Sequence, residues 1–481
     1  MPNEESDDKN TMGSVGLSFG SPTSGQGFDV TSTVNQIVTN LEAVETPWKN
    51  QLTTLQSEDT ALTNIGTDLS SLSTALQSLT DFEGTFSGKE GSSSDESVVA
   101  LTNATSAAVA GTHTVVVTQT AKTYSYSSGD LGTSDTLSGT LKIAGQTITI
   151  SDGTAKDSDG NTIAQNNTLA TLASYINQGE YGVQATVVQD ATGSKLSLVS
   201  NAAGGSGAVA IDSSALTDAT TSTSVSIAQA QQGQDAIFSV DGVSMTSSSN
   251  TVATAIPGVT MQLLSAPAGN SVQVEITNNN SQVESAISTF VTAYNKVIGD
   301  LTTQEGNSSS GTAEPLYGNP TLAILQETLQ LATNFTQSSG AITGLAQLGI
   351  TASKSADGTL TLDSSTLDSM LNSNYQDAMN LFQANSTSYK SFGANLTNVL
   401  NNLGNTAPNG AVYLALQQNS TQETALNNNV STQETLISAR KTQLTTELNQ
   451  ANFTLQEIPQ QINYVDEIYS AITGYSQNSN G

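Results

Sequence analysis

Apolar residues recur at helical spacing near both ends of this 481-residue chain, and that symmetry limits what it can fold into. Towards the start they fall at Val34, Ile37, Val38, Leu41, Val44, Trp48, Leu52, Leu55, Leu62, Ile65, Leu69, Leu72, Leu76 and Leu79. From Trp48 onward the steps are mostly 4 and 3, with Asp59 interrupting and a 3–3 slip at Leu62–Ile65. The spacing predicts a heptad helix from Val30 to Leu79 with a local stammer, capped by Asp29. At the other end Leu444, Leu448, Ala451, Leu455, Ile458, Ile462, Val465, Tyr469 and Ile472 keep the 4-3 alternation without a miss. Pro459 lies inside this run, which predicts a kink or break and two helical pieces sharing one face. A heptad sustained over such a length is a coiled-coil signal. Two of them in one chain predict that its ends pair lengthwise.

The material between the ends reads differently. Val98–Leu101 and Thr114–Thr118 read as strands joined by a Gly111 turn, and Gly139–Ile150 as a hairpin turning at Ala144-Gly145. Thr168–Asn177 reads as a short amphipathic helix, with strands at 183–188 and 195–199 after it. A further β region covers 235–276, turning at Asp241-Gly242, a strong hairpin dipeptide. From Val283 the pattern is helical again, with Ile287, Phe290, Val291, Tyr294 and Ile298 on one face. The expected class is α+β and multidomain: a terminal α-helical coiled-coil leg with inserted β-rich head domains. The boundaries expected are a disordered tail at 1–24 and an N-terminal leg helix at 25–85. A β-rich head domain combines 86–134 with 226–280 and has a second head domain, 135–225, nested within it. A helical leg domain follows at 281–415, then a C-terminal coiled-coil helix and tail at 416–481.

Charge narrows the partners. There are 42 acidic against 12 basic residues, a net charge of −30, and Arg440 is the one arginine. Nucleic-acid binders neutralise phosphates with clustered Lys and Arg, so nucleic acid is not an expected partner. Anionic lipid surfaces repel such a chain, and no run of 18 apolar residues predicts membrane insertion. Without cysteine there are no disulfides, thiolate metal sites or thiol nucleophiles. The acidic opening Met1–Lys9 is the opposite of a secretory signal peptide, which predicts export without a cleaved leader.

Candidates for chemistry are few, and none assembles into a site. His113 is the single histidine, stands before a Val-rich strand, and has no Ser/Asp pair assignable by spacing. Asp157-Ser158-Asp159-Gly160-Asn161 resembles half of a calcium loop, but Thr162 and Thr168 stand where Gly and Glu are required, so a polar turn is the reading. Ala203–Gly207 lacks the Lys and helix of a phosphate-binding loop. Scattered carboxylates and one tryptophan make a poor glycosidase groove. No catalytic residue, metal ligand or cofactor is expected, and the chain does not read as an enzyme. What remains is interaction chemistry. The seam Val34, Ile37, Leu41, Val44, Trp48, Leu52, Leu55, Leu62, Leu69, Leu72 and Leu76, with Leu444, Leu448, Ala451, Leu455, Ile458, Ile462, Val465, Tyr469 and Ile472, is the candidate coiled-coil and self-association surface.

The sequence resembles a known family. Gly25–Val34, running into the helix to Leu79, is similar to the opening of the flagellar hook-associated protein 2 (filament cap) family. Residues 98–121, with Ala107-Ala108 and Gly111–Gln119, resemble its next block. Residues 139–200, with Tyr175-Ile176-Asn177 and Gly182–Ala185, resemble a flagellin-hook module. Asp235–Gly242, Ser249–Val252 and Ile256–Thr260 are similar to its second β block. Leu348–Thr351, Asp357–Asp363 and Leu381-Phe382 are similar to its C-terminal helical domain. The blocks keep the family's order over about residues 25–475.

The resemblance implies a cap at the tip of an extracellular bacterial flagellum. There a ring-like homo-oligomer forms a chaperone-like plate that retains exported flagellin and promotes its folding and insertion. It implies flagellin and the flagellar type III export apparatus with its chaperone as partners. The rival readings are flagellin or a hook–filament junction protein, which share helical termini around β insertions, and a surface adhesin.

Overall fold

The structure, a computed structural model, describes residues 27–338, 340–355, 357–383 and 391–474. The expected tail at 1–24, Gly25-Gln26 and the chain from Tyr475 onward lie outside the described residues. The helices are α1 (Val30–Glu42), α2 (Thr46–Thr80), α3 (Leu169–Gln178), α4 (Asn280–Gln304), α5 (Pro320–Thr333), α6 (Ser364–Gln383), α7 (Phe392–Leu403) and α8 (Ala411–Thr473). Among the described residues there are also five β-sheets, and the chain is α+β. It divides into two units, one formed by Asp81–Ala286 and the other by Met1–Thr80 with Ile287–Gly481.

In the helical unit the caps are local and legible. Asp29 Oδ1 accepts the Ser32 amide at 3.0 Å. Asn319 precedes Pro320 at the first turn of α5, where a missing N–H costs nothing. Ser391 Oγ accepts the Ala394 amide at 3.0 Å at the start of α7. The apolar stripe of α2, Leu62, Ile65, Leu69, Leu72, Leu76 and Leu79, is buried along its length. Nearby, Phe392 of α7 meets Phe290 of α4 and Phe382 of α6 edge-on, at centroid distances of 6.0 and 5.7 Å. Burial of these side chains supplies the driving force, on the order of 1.5–3 kcal/mol for each large one. A small hairpin, Ile350–Ala352 with Leu360–Leu362, is pinned when Asn295 donates to and accepts from the Leu360 backbone at 2.8 and 2.7 Å.

The β unit has two cores. In the first, a five-stranded sheet runs in the order Lys89–Ser93, Val272–Asn278, Gly111–Gln119, Ala236–Val240, Val243–Ser247. A three-stranded sheet of Thr251–Ile256, Val259–Leu263 and Val99–Ala104 shares its core of Val99, Val115, Val117, Phe238, Met261 and Val274. The second core joins α3 to the strands between Thr123 and Gln231, around Leu141, Leu172, Ile176, Leu196 and Leu198. Both predicted two-residue turns are present. Ala144-Gly145 and Asp241-Gly242 take positive φ, 51° and 82°, then 50° and 83°, the mirror-image turn whose twist suits a hairpin.

Three expectations are corrected. The strands about Val99 and Val115 do not form a hairpin at Gly111. Each pairs with strands distant in sequence, and their valines meet inside one core from two sheets. The N-terminal helix, expected unbroken from Val30 to Leu79, is interrupted at Ala43–Glu45 by one 3₁₀ turn, while the 3–3 slip at Leu62–Ile65 lies within the continuous α2. Pro47 explains the position, because its ring would strike the Ala43 carbonyl in an unbroken α-helix. Pro459 does not break its helix: α8 runs through it for 63 residues. One donor is forfeited there, but the flanking turns remain hydrogen-bonded and carry the helix on.

Candidate functional site

The two chain ends meet as antiparallel helices. The Phe28 amide donates to Asn452 Oδ1 at 2.8 Å, Lys49 Nζ lies 3.6 Å from Glu434, and Asn419 Nδ2 donates to Asp59 Oδ1 at 2.8 Å. Position thus falls along α8 as it rises along α1 and α2. Between these polar contacts sits an apolar cluster of Val30, Val34, Val38, Ile437 and Leu444, flanked by Phe28, Ile37, Leu41 and Leu448. Its members follow the heptad, so the seam of α1 and that of α8 bury each other. Further along, Leu55 of α2 and Val412 and Leu426 of α8 are also buried.

Among the polar groups buried within this helical pairing are Asn419 and Glu45. Asn419, 7 % exposed, bonds Asp59 and also Glu58 at 3.3 Å. A buried amide satisfied by a specific partner penalises any slipped pairing, in which it would be left unpaired. Glu45, 1 % exposed, sits in the 3₁₀ turn with one carboxylate oxygen 2.7 Å from Lys49 Nζ. That carboxylate raises the Lys49 ammonium above its ordinary value.

The candidate self-association residues divide by environment. Val34, Leu55, Leu62, Leu69, Leu72, Leu76 and Leu444 are buried in the chain's own helices. Ile37, Leu41, Trp48, Leu52, Leu448, Leu455 and Ile458 are half-buried, and Val44 and Ala451 face solvent. Ile462, Val465, Tyr469 and Ile472 are exposed, as are Phe453, Tyr464 and Ile468 beside them. From Ile462 to Ile472, therefore, α8 presents an apolar stripe that the described residues leave exposed. The coiled-coil helix expected at 416–481 takes in most of the first half of α8, but its named seam starts only at Leu444. The signal was present as Val412, Asn419 and Leu426, seven apart, but Asn419 breaks an apolar pattern.

The remaining candidates occupy ordinary structural positions. His113 Nδ1 shares a 2.7 Å hydrogen bond with Asp241 Oδ2, tying the Asp241-Gly242 turn to the neighbouring strand. The His113 ring holds the Asp241 carboxyl below its ordinary value. Asp157 accepts from the amides of Asn161 at 2.8 Å and Asp159 at 3.0 Å, which lower its carboxyl and close a turn. Among the described residues no group of three His, Asp or Glu converges as metal ligands, and no helix is long and apolar enough to cross a membrane.

Comparison with known proteins follows this geometry. Residues 26–124 match the family model for the flagellar hook-associated protein 2 N-terminus, and residues 233–463 match that for its C-terminus. Together the two matches cover more than half of the chain. The B-type flagellar hook-associated protein 2 of Pseudomonas aeruginosa PAO1 is 28% identical over 395 residues, 76% of this chain and 81% of that protein. The flagellar hook-associated protein 2 of Escherichia coli K12 is 27% identical over 368 residues, covering 72% and 76%. Among solved structures, the D1-D2-D3 domains of the E. coli flagellar cap protein superpose with a TM-score of 0.50 at 25% identity. That superposition spans 75% of this chain and 99% of the other.

Proposed function

The chain belongs to the flagellar hook-associated protein 2 family, and from that premise we propose that it is the cap of a flagellar filament. Membership implies work at the flagellum tip in association with the filament, in a structural rather than an enzymatic family. In this reading several copies form a ring-like plate that retains exported flagellin and promotes its folding and insertion. Delivery is by the flagellar type III route with a dedicated chaperone.

The observation that supports it best is the stripe of α8, Ile462, Val465, Tyr469 and Ile472, which lies beyond the Phe28–Asn452 contact and is exposed among the described residues. A helix apolar on an unpartnered face gains by docking on a neighbour, whether another copy or a filament subunit. Contacts among Asn, Gln, Ser and Thr contribute only about 1 kcal/mol net each, so such a plate holds its neighbours while still able to shift as subunits are added.

The test is a truncation after Asn452, which keeps the buried helix pair and removes the stripe. Cells carrying it should lose motility and spill flagellin into the medium. Normal filaments with no flagellin outside the cell would sink the cap role.

A further inference from the structure

A β-sheet ends on strands whose outward N–H and C=O groups have no strand beside them, and each such edge invites another chain to pair with it. This chain closes several of its edges with asparagine side chains. At the end of the strand Gln146–Thr149, Asn166 Nδ2 donates to the Thr149 carbonyl at 3.0 Å and its Oδ1 accepts the Ser151 amide at 2.6 Å. On the outer strand Val183–Gln189, Asn177 donates to the Ala185 carbonyl at 2.8 Å and accepts the Ala185 amide at 2.7 Å. Asn295 holds Leu360 of the small hairpin in the same way. Each side-chain amide stands in for one residue of a missing strand. The outer strands Thr251–Ile256 and Ile227–Gln231 are instead broken by register shifts, which disrupt pairing. The outer strand Lys89–Ser93 carries Lys89 and Glu90, and Leu101 of another sheet packs so close that a Cβ at Gly91 would lie 2.3 Å from it.

The outer strand Val243–Ser247 has none of these protections. Its five residues pair with Ala236–Val240 without a register shift. The two-residue turn makes Val240 and Val243 a hydrogen-bonded pair, so the amides and carbonyls of Ser244 and Thr246 point away from the sheet. Among the described residues nothing bonds these main-chain groups, both residues are exposed, and the strand carries no charge. Apolar surface lies beside them: Val243 is 58 % exposed, and Ile237, across from Thr246, is 39 % exposed. We propose that this edge is a strand-addition site for an extended segment of a polypeptide that has not yet folded, which in the cap reading is incoming flagellin. The chemistry of the edge selects that occupant. Main-chain groups at strand spacing recognise another main chain whatever its side chains, and a folded protein has its own amides already paired. Strength argues against a second copy of this chain. Two outward residues allow at most four neutral hydrogen bonds, each of small net worth, and a lone pair of short strands is marginal in water. Such a contact does not hold together two chains of net charge −30. It suits a segment that is caught and then released. This inference rests on the retention of unfolded flagellin in the cap reading and names the surface that retains it.

The test is pulse-labelled amide exchange on the full-length protein while flagellin of the same bacterium is diluted into it from guanidinium. The Ser244 and Thr246 amides should exchange at least tenfold more slowly with unfolded flagellin present, and at their original rate with flagellin refolded beforehand. Thr246→Pro removes one outward donor and none of the bonds to Ala236–Val240, so it should weaken capture of unfolded flagellin at least tenfold with a native circular dichroism spectrum. Ser244→Pro repeats this at the other donor, and if either variant misfolds the exchange of the unaltered protein decides alone. Capture that leaves exchange at residues 243–247 unchanged overturns the site, as does equal protection by refolded flagellin or no capture at all. Protection in the protein alone that grows with its own concentration overturns it too and gives the edge to a second copy. All of these outcomes leave the cap reading standing, because that reading falls only if the truncation after Asn452 yields normal filaments with no flagellin outside the cell.

Discussion

Aspartates set much of the local structure in this acidic chain. In Asp95–Ser97, Asp152–Thr154, Asp190–Thr192, Asp357–Thr359 and Asp363–Ser365, one carboxylate oxygen accepts both the amide and the hydroxyl two residues on. Hydrogen bonds made to the ionised form favour it, so Asp152, Asp190, Asp357 and Asp363 titrate low. The Thr192 hydroxyl drives Asp190 well below the carboxylate range, and the Ser365 and Thr366 hydroxyls bring Asp363 down to about 2. A depressed value means stability that is present above the ordinary carboxylate value of 3.8 and lost as pH falls from there toward 2. Asp363→Ala should therefore lower the melting temperature at pH 7, and its deficit against the native protein should shrink as pH approaches 2. A deficit independent of pH would mean the carboxylate charge is not its source. The motif is readable wherever Asp stands two before Ser or Thr. Whether a given instance closes a turn depends on backbone geometry, which residue order does not specify.

The instructive elements are the two prolines in terminal helices. Pro47 coincides with a break and Pro459 does not, although the sequence rule is the same for both. At Pro47 the neighbouring 3₁₀ turn also seats the buried Glu45 against Lys49, so the irregularity is reinforced by packing. Around Pro459 the helix is largely solvent-facing, and an exposed helix tolerates a missing donor. Proline still opposes helix there by ~3 kcal/mol relative to alanine. Pro459→Ala should raise helix content and slow amide exchange between about Leu455 and Asn463, with the melting temperature of the packed core unchanged. Unaltered exchange would show that this segment is already held by a partner. The heptad of α1 follows the face that packs on α8, and at the end of α8 it follows residues that stand exposed. They did not reveal which residues the chain covers for itself, because a buried and an exposed Leu look alike in a pattern.

The whole molecule is assembled from one continuous stretch and one discontinuous one. Asp81–Ala286 contains both β cores in an uninterrupted segment, whereas the helical unit draws on both chain ends. A fragment of residues 81–286 should fold alone, with a β-type circular dichroism spectrum and a cooperative transition. Removing residues 411–481 should unfold the helical unit and leave the β unit protected from protease. A fragment that stays unfolded would mean its cores depend on the helices. Strand pairing shows where reading in order stops. The strands about Val99 and Val115 are near neighbours in the chain, yet each takes partners from between residues 236 and 278.

Period, caps and turn dipeptides are local properties, and they sufficed for the class of the chain, for its long terminal helices and for the hairpins at Ala144-Gly145 and Asp241-Gly242. The family was legible for the same reason, since its blocks are short and keep their order. Strand partners, the buried Asn419 and Glu45, and the division of one heptad stripe into covered and bare halves belong to contacts between distant residues. Those are settled by which surfaces exclude water together, a property of the packed chain that no stretch of it carries alone.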